Sequence, residues 1–185
     1  MCVRLTEMTH VATPGAYTLA DFEALPDDGR RYELLGGLIV MSPSPVPAHQ
    51  IVVKNLLFRL YPLVPAGHVL FPAPMDIVLD DESVVEPDLL IVPHTSVGPV
   101  RLKLPALLFI EIVSKASRRL DRAYKWDLYE AAGIPHYWLF DLEAGTIVVL
   151  RLVNGHYEVA ADGPVVEISD PLPVGRLNLG ELLEP

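Results

Sequence analysis

The stretch Leu107–Val113, which reads Leu-Leu-Phe-Ile-Glu-Ile-Val, constrains the fold of this chain more than any other feature. It is almost continuously apolar, which is the pattern of a β-strand buried on both faces. Such a strand needs a packing layer on each side, so it must lie inside a sheet that is covered above and below. We therefore predict an α/β (α+β) fold in which helices flank a mixed central β-sheet.

Turn, cap and periodicity signals place the other elements around this strand. We expect helices from Thr18 to before Pro26, along the apolar stripe Val52–Leu60 to Pro65, from Ser117 to Ala132 and at Leu179–Leu183. Strands are predicted at Arg31–Leu35 and Leu38–Met41 around Gly36-Gly37, and at His68–Phe71, Met75–Leu79, Asp88–Val92, His136–Asp141, Thr146–Val153 and Tyr157–Ala160. The polar run Asp80–Ser83 is predicted to be a turn, and Asn154-Gly155 a type I′ hairpin turn.

The length of 185 residues suits a single domain, which we place at residues 17–185 after a loosely ordered segment 1–16. No apolar stretch approaches the roughly 20 residues needed to cross a bilayer, and the first residues lack the apolar core of a signal peptide. Cys2 is the only cysteine, so an intrachain disulfide is impossible. These features lead us to expect a cytoplasmic protein with no membrane partner.

The net charge of −10 argues against a nonspecific, high-affinity nucleic-acid binder, because such proteins carry a basic footprint. The basic residues are nevertheless concentrated: seven of the 14 lie between Arg101 and Lys125. This run has two interpretations that the sequence leaves open. It is either the solvated face of a helix or a local patch for a polyanion.

Glu111 is the residue that most needs an explanation, because an ionised carboxylate inside a buried strand is costly unless something compensates it. Strand alternation puts Glu111 on the face of Phe109 and Val113. Hydrogen bonds, a basic partner or a metal would each provide the compensation. A buried ion pair with a purely structural role therefore remains an alternative to a functional site.

Asp88 and Lys125 are the residues that would complete a site around Glu111. Asp88 begins a predicted strand after Pro87, and two carboxylates on neighbouring strands repel each other unless a cation lies between them. Oxygen ligands of this kind suit Mg²⁺ (or Mn²⁺). If the helix after Ser117 folds back over the strand, Lys125 returns to about the level of Glu111; the alternative is an exposed pair with Asp121.

An ordered set of motifs over roughly residues 18–155 resembles the Uma-two family of endonucleases in the restriction-endonuclease-like PD-(D/E)xK superfamily. The motifs are Arg31-Tyr32-Glu33-Leu34, Met41-Ser42-Pro43, Ala48-His49-Gln50, Asp76, Glu86-Pro87-Asp88, Ile110–Ser114, Arg119–Lys125, Tyr129 and Tyr137-Trp138-Leu139. Each motif alone is weak, whereas their common order and spacing make the resemblance specific.

The resemblance implies a restriction-endonuclease-like fold and a Mg²⁺-dependent nuclease that cuts nucleic acid, with DNA favoured. We expect a homodimer, because cutting of two strands and a two-fold axis go together. It implies that Asp88 and Glu111 are metal ligands, that Lys125 is the catalytic lysine, and that Glu33 is an additional acid of the site. The basic side chains that would hold the substrate backbone are Arg118, Arg119 and Arg122. Asp76 and His49 match family positions without an assigned role. The competing hypotheses are a non-catalytic binding or structural module and a phosphoesterase acting on small substrates.

Overall fold

The structure, a computed structural model, describes residues 15–42, 44–113 and 124–185. Its helices are α1 (Leu19–Glu23), α2 (Pro47–Leu60), α3 (Trp126–Ala131) and α4 (Leu179–Leu182). Its strands are β1 (Arg31–Leu34), β2 (Ile39–Ser42), β3 (His68–Pro72), β4 (Ile77–Asp80), β5 (Ser83–Val85), β6 (Leu89–Pro93), β7 (Leu102–Lys103), β8 (Leu108–Val113), β9 (His136–Asp141), β10 (Thr146–Val153), β11 (His156–Gly163), β12 (Val165–Ile168) and β13 (Gly175–Asn178).

A six-stranded mixed sheet in the order β11-β10-β9-β8-β6-β3 forms the centre of the fold. Strands β8 and β9 run parallel, and the other neighbours are antiparallel. All six residues of β8 are buried, as the apolar run predicts. Ile110 and Ile112 pack in a core that also contains residues of α2 and α4. Phe109 and Val113 pack in a second core with Tyr129 of α3. The predicted mixed sheet flanked by helices is therefore confirmed.

A second sheet, in the order β2-β1-β5-β4-β7, contributes residues to the second core. Its predicted hairpin is confirmed, with Glu33 of β1 opposite Val40 of β2. The hairpin turn contains Gly36 and Gly37, whose φ angles are +57° and +77°. A Cβ atom on Gly37 would lie 2.5 Å from the backbone of Gly15, so this turn tolerates only glycine at that position.

Most predicted elements appear within a few residues of their expected bounds. The capping box at the start of α1 is present, since Thr18 and Asp21 exchange side chain–backbone hydrogen bonds. Asn154 and Gly155 both have positive φ, as a type I′ turn requires. The predicted Ser117 cap and the first turns of its helix lie outside the described residues, as does most of segment 1–16.

The structure also contains strands that the sequence patterns did not predict. Ser83, placed in a polar turn by its sequence, instead begins β5, and only residues 81 and 82 remain between β4 and β5. Strands β12 and β13 form a separate two-stranded sheet. Within the described ranges, every helix is too short or too polar to span a bilayer. A single domain at residues 17–185 remains a prediction.

Candidate functional site

Glu111 and Asp88 lie on adjacent antiparallel strands of the central sheet. Glu111 is in the middle of β8, and Asp88 directly precedes β6, where Leu89 is the register partner of Ile110. Extending this register by one residue puts Asp88 opposite Glu111, on the same face of the sheet. Asp88 Oδ2 accepts a hydrogen bond from the backbone N–H of Ile112 at 2.7 Å. Both carboxylates are buried, which is the arrangement that needs a compensating charge.

Lys125 supplies part of that compensation. Its Nζ lies 2.9 Å from Glu111 Oε1 and 2.9 Å from Glu33 Oε1, and only 3% of the residue is exposed. Lys125 therefore lies beside Glu111, the position predicted for it if the helix after Ser117 folds back over the strand. The alternative of an exposed Lys125 paired with Asp121 is wrong for Lys125, which is buried, and Asp121 lies outside the described residues.

Glu33 reaches the same cluster from the second sheet. Its Oε1 atom also accepts the backbone N–H of Glu86 at 2.9 Å, and its Oε2 accepts the Ser42 hydroxyl at 3.1 Å. These bonds hold the carboxylate in one orientation while it contacts Lys125. The ammonium of Lys125 consequently joins the two sheets through two buried acids, Glu33 and Glu111.

Tyr129 provides a further donor to Glu111, a contact that sequence reasoning did not assign. Its hydroxyl donates to Glu111 Oε1 at 2.8 Å, and its ring makes an edge contact with Phe109 at 4.8 Å between centroids. Burial, reinforced by the charge of Glu111, raises the pKa of Tyr129 well above its usual value. The phenol therefore stays protonated and donates permanently. The sequence did contain a signal for this contact, because Tyr129 lies one helical turn after Lys125 and so on the same side of the helix.

Glu86 is a fourth buried acid, and sequence reasoning did not single it out. Its carboxylate contacts the guanidinium of Arg31 as an ion pair, without the geometry of a hydrogen bond at Oε1. Burial raises the pKa of Glu86, and the neighbouring Arg31 opposes that shift. The ion pair does not require that hydrogen bond, since charge attraction needs no particular angle.

His49 and Asp76, the two family positions without an assigned role, differ in their contacts. His49 Nε2 lies 3.1 Å from Asp88 Oδ1, and the side chain is buried at the start of α2. Asp76 pairs with Arg101, whose Nε donates to its Oδ2 at 3.0 Å. His49 therefore contacts a predicted site residue directly, whereas Asp76 is held by a basic side chain outside the cluster. Arg118, Arg119 and Arg122 lie outside the described residues, so their role stays a prediction.

The described site is rich in buried acids. Four buried acids, Glu33, Glu86, Asp88 and Glu111, face two basic partners, Arg31 and Lys125. Carboxylate oxygens fit Mg²⁺, which takes one or two carboxylates and completes its shell with water and phosphate. Within the described ranges, no cluster of three or more His, Cys, Asp or Glu has a metal-binding arrangement, so a site would rest on two carboxylates.

The fold resembles that of a solved structure described as "a putative nuclease belonging to DUF820 from Anabaena variabilis". The two share 18% sequence identity with a TM-score of 0.70, over 90% of this chain and 97% of that one. No curated protein matches the chain. A family model described as "Uma2: Putative restriction endonuclease" matches residues 19–179. That match spans most of the sequence and all of the described site, and the chain therefore belongs to the Uma2 family.

Proposed function

We propose that this protein is a divalent-metal-dependent endonuclease that hydrolyses phosphodiester bonds in nucleic acid, with DNA as the substrate. The observation that carries the proposal is the pair of buried carboxylates, Asp88 and Glu111, opposite each other at neighbouring strands of the central sheet. Two buried carboxylates at this position repel each other, and a divalent cation between them would relieve that repulsion. Membership of the Uma2 family supports a phosphodiesterase reaction over other uses of a bound metal.

Asp88 and Glu111 are the residues that would hold the cation, Mg²⁺ or Mn²⁺. Their carboxylates come from neighbouring strands and present hard oxygen atoms. When bound, the metal would lower the pKa of a water molecule and neutralise charge on the reacting phosphate. Tyr129 and the Ile112 N–H each hold one of these carboxylates by a hydrogen bond, which limits their rotation.

Lys125 would act on the phosphate through its fixed positive charge. A buried ammonium group stabilises negative charge on a phosphate oxygen more strongly than a solvated one does. Glu33 and Glu111 hold the ammonium group in place before substrate arrives, so little reorganisation is needed. Arg118, Arg119 and Arg122 would contact the substrate backbone and position it without reading its sequence.

Cleavage assays with matched variants test the proposal. Asp88→Asn and Glu111→Gln should abolish Mg²⁺- or Mn²⁺-dependent cleavage of plasmid DNA. Asp162→Asn and Glu158→Gln change exposed acids of β11 and should leave cleavage unchanged. Single-stranded DNA and RNA, assayed in parallel, identify the preferred nucleic acid. Cleavage that survives both site variants, or that persists in EDTA, would exclude the proposed metal site.

A non-catalytic module is the second candidate, and one observation favours it. The described site satisfies many of its own polar groups, since Lys125 contacts two acids and Asp88 accepts a hydrogen bond on one oxygen while facing His49 with the other. A purely structural network predicts that saturating Mn²⁺ leaves the melting temperature unchanged. A metal site instead predicts a stabilisation that grows with the logarithm of Mn²⁺ concentration. A phosphoesterase for small substrates would hydrolyse bis(p-nitrophenyl) phosphate but not DNA.

We further propose that the protein is a cytoplasmic homodimer. A two-fold axis would place two such sites so that both strands of a duplex are cut. Light scattering coupled to size-exclusion chromatography measures the mass directly, and a mass near the 20.4 kDa of one chain would contradict the dimer.

A further inference from the structure

We infer that His49 is a positioning residue that orients the carboxylate of Asp88 for the cation; the inference rests on the proposed metal site. The two oxygens of Asp88 face different elements of the fold. Oδ2 accepts the N–H of Ile112 at 2.7 Å, and Oδ1 lies 3.1 Å from His49 Nε2. One contact comes from the central sheet and the other from the first turn of α2, so together they fix the plane of the carboxylate.

The surroundings of the imidazole determine which nitrogen carries the proton. His49 Nδ1 is buried and has no hydrogen-bond partner among the described residues. A proton on Nδ1 would leave a buried donor unpaired, at a cost of about 1–3 kcal/mol. A proton on Nε2 is instead donated to Asp88 Oδ1. His49 therefore supplies a hydrogen bond to Asp88 through Nε2.

Packing alone does not account for a histidine at this position. His49, Val52, Leu56 and Leu60 follow one another as the buried residues of α2. The three aliphatic side chains belong to the core beneath the central sheet. An apolar residue at position 49 would continue that stripe without leaving a buried nitrogen unpaired. The contact with Asp88 explains the histidine, because it needs a polar side chain of this length.

Three variants separate the hydrogen bond from the packing. Glutamine can place its amide nitrogen near the position of the imidazole Nε2, whereas asparagine is too short to reach it. His49→Leu fills the core but lacks a donor. We expect His49→Asn and His49→Leu to weaken Mn²⁺ binding by about 10- to 100-fold, the usual effect of losing a group that orients a metal ligand. His49→Gln should bind Mn²⁺ with nearly the affinity of the wild type.

Isothermal titration of the full chain with MnCl₂ alone provides the affinities, and thermal melting checks that each variant is folded. Equal Mn²⁺ affinities for wild type and His49→Leu would overturn the inference, and so would equal losses in His49→Gln and His49→Asn. A wild-type protein that binds no Mn²⁺ would overturn the proposed function itself and this inference with it. Failure of the proposed function is distinguishable from failure of this inference, because the absence of Mn²⁺ binding is seen with the wild type before any variant is made.

The tautomer supplies an independent spectroscopic test in the absence of metal. Nitrogen NMR of the histidine rings distinguishes a protonated from an unprotonated ring nitrogen. We expect the signals of His49, assigned by comparison with His49→Gln, to show the proton on Nε2. A ring with no proton on Nε2 would lack the hydrogen bond to Asp88 and contradict the inference.

Discussion

Replacing Lys125 with methionine removes the cation that two buried acids share. The ammonium group lies 2.9 Å from both Glu33 Oε1 and Glu111 Oε1, and the acids are only 3% and 4% exposed. Methionine keeps most of the volume and the apolar stem of the lysine. The substitution therefore tests charge compensation rather than packing.

Breaking a buried ion pair from one side costs about 3–5 kcal/mol, because the remaining charge stays in a low-dielectric environment. Hydrogen bonds from Tyr129 to Glu111 and from Ser42 to Glu33 persist in the variant and limit the loss. For a chain of this size, the expected cost corresponds to a decrease of about 6–20 °C in the melting temperature.

Urea denaturation followed by tryptophan fluorescence measures this free energy, with Lys54→Met as the control at an exposed lysine of α2. The double variant Lys125→Met/Glu111→Gln should recover part of the stability, because it removes one of the acids left without the shared cation. The reasoning is refuted if Lys125→Met unfolds within about 1 kcal/mol of the wild type, a change typical of surface substitutions. It is also refuted if the double variant is less stable than Lys125→Met.

Three further changes test other parts of the structure. Tyr129→Phe removes the hydroxyl donor to Glu111 and should lower the free energy of unfolding by about 1.5–3 kcal/mol, measured in urea; an unchanged midpoint would contradict the 2.8 Å hydrogen bond. The raised pKa of Glu86, caused first by burial, means that its stabilising contribution is complete below its usual pKa of 4.5 and is lost as pH rises through the folded-state pKa. The stability of the wild type relative to Glu86→Gln should therefore fall between pH 4 and pH 7, and a rise would show that the pKa is lowered instead. Gly37→Ala should cost more than Gly36→Ala when both are unfolded in urea: each pays about 1–2 kcal/mol for positive φ, but only the first adds a backbone clash. Equal losses would contradict the close approach at that turn.

The sequence predicted the central strand well because its burial on both faces leaves a continuous apolar pattern. Glu111 was recognisable as a candidate site residue for the same reason: a charge is conspicuous in an otherwise apolar strand. Lys125 was placed near Glu111 by the geometry of a strand followed by a returning helix, although spacing alone left an exposed lysine possible. Pattern and geometry were sufficient where the controlling interactions are local in sequence.

Other features depend on contacts that no local pattern contains. Ser83 begins a strand because its neighbour Val84 pairs with Leu34 of β1, far away in the sequence. The contact between His49 and Asp88 joins a helix to a strand edge, and nothing in Ala48-His49-Gln50 indicates it. Glu86 becomes part of the cluster through its backbone N–H, which donates to an acid 53 residues earlier. Tertiary packing determines these features, so the sequence left them unassigned.

The location of the cluster where Lys125 connects the two sheets has a consequence for synthesis of the protein. Glu33 is made early, and it remains without its lysine partner until translation has passed residue 125 and α3 has formed. Contacts between such distant segments are slow to form, because the intervening chain must first be ordered. A nascent or truncated chain that ends before α3 therefore contains both proposed metal ligands yet lacks the lysine. If the protein is the nuclease proposed above, the growing polypeptide should stay inert towards nucleic acid until Lys125 has reached Glu33 and Glu111.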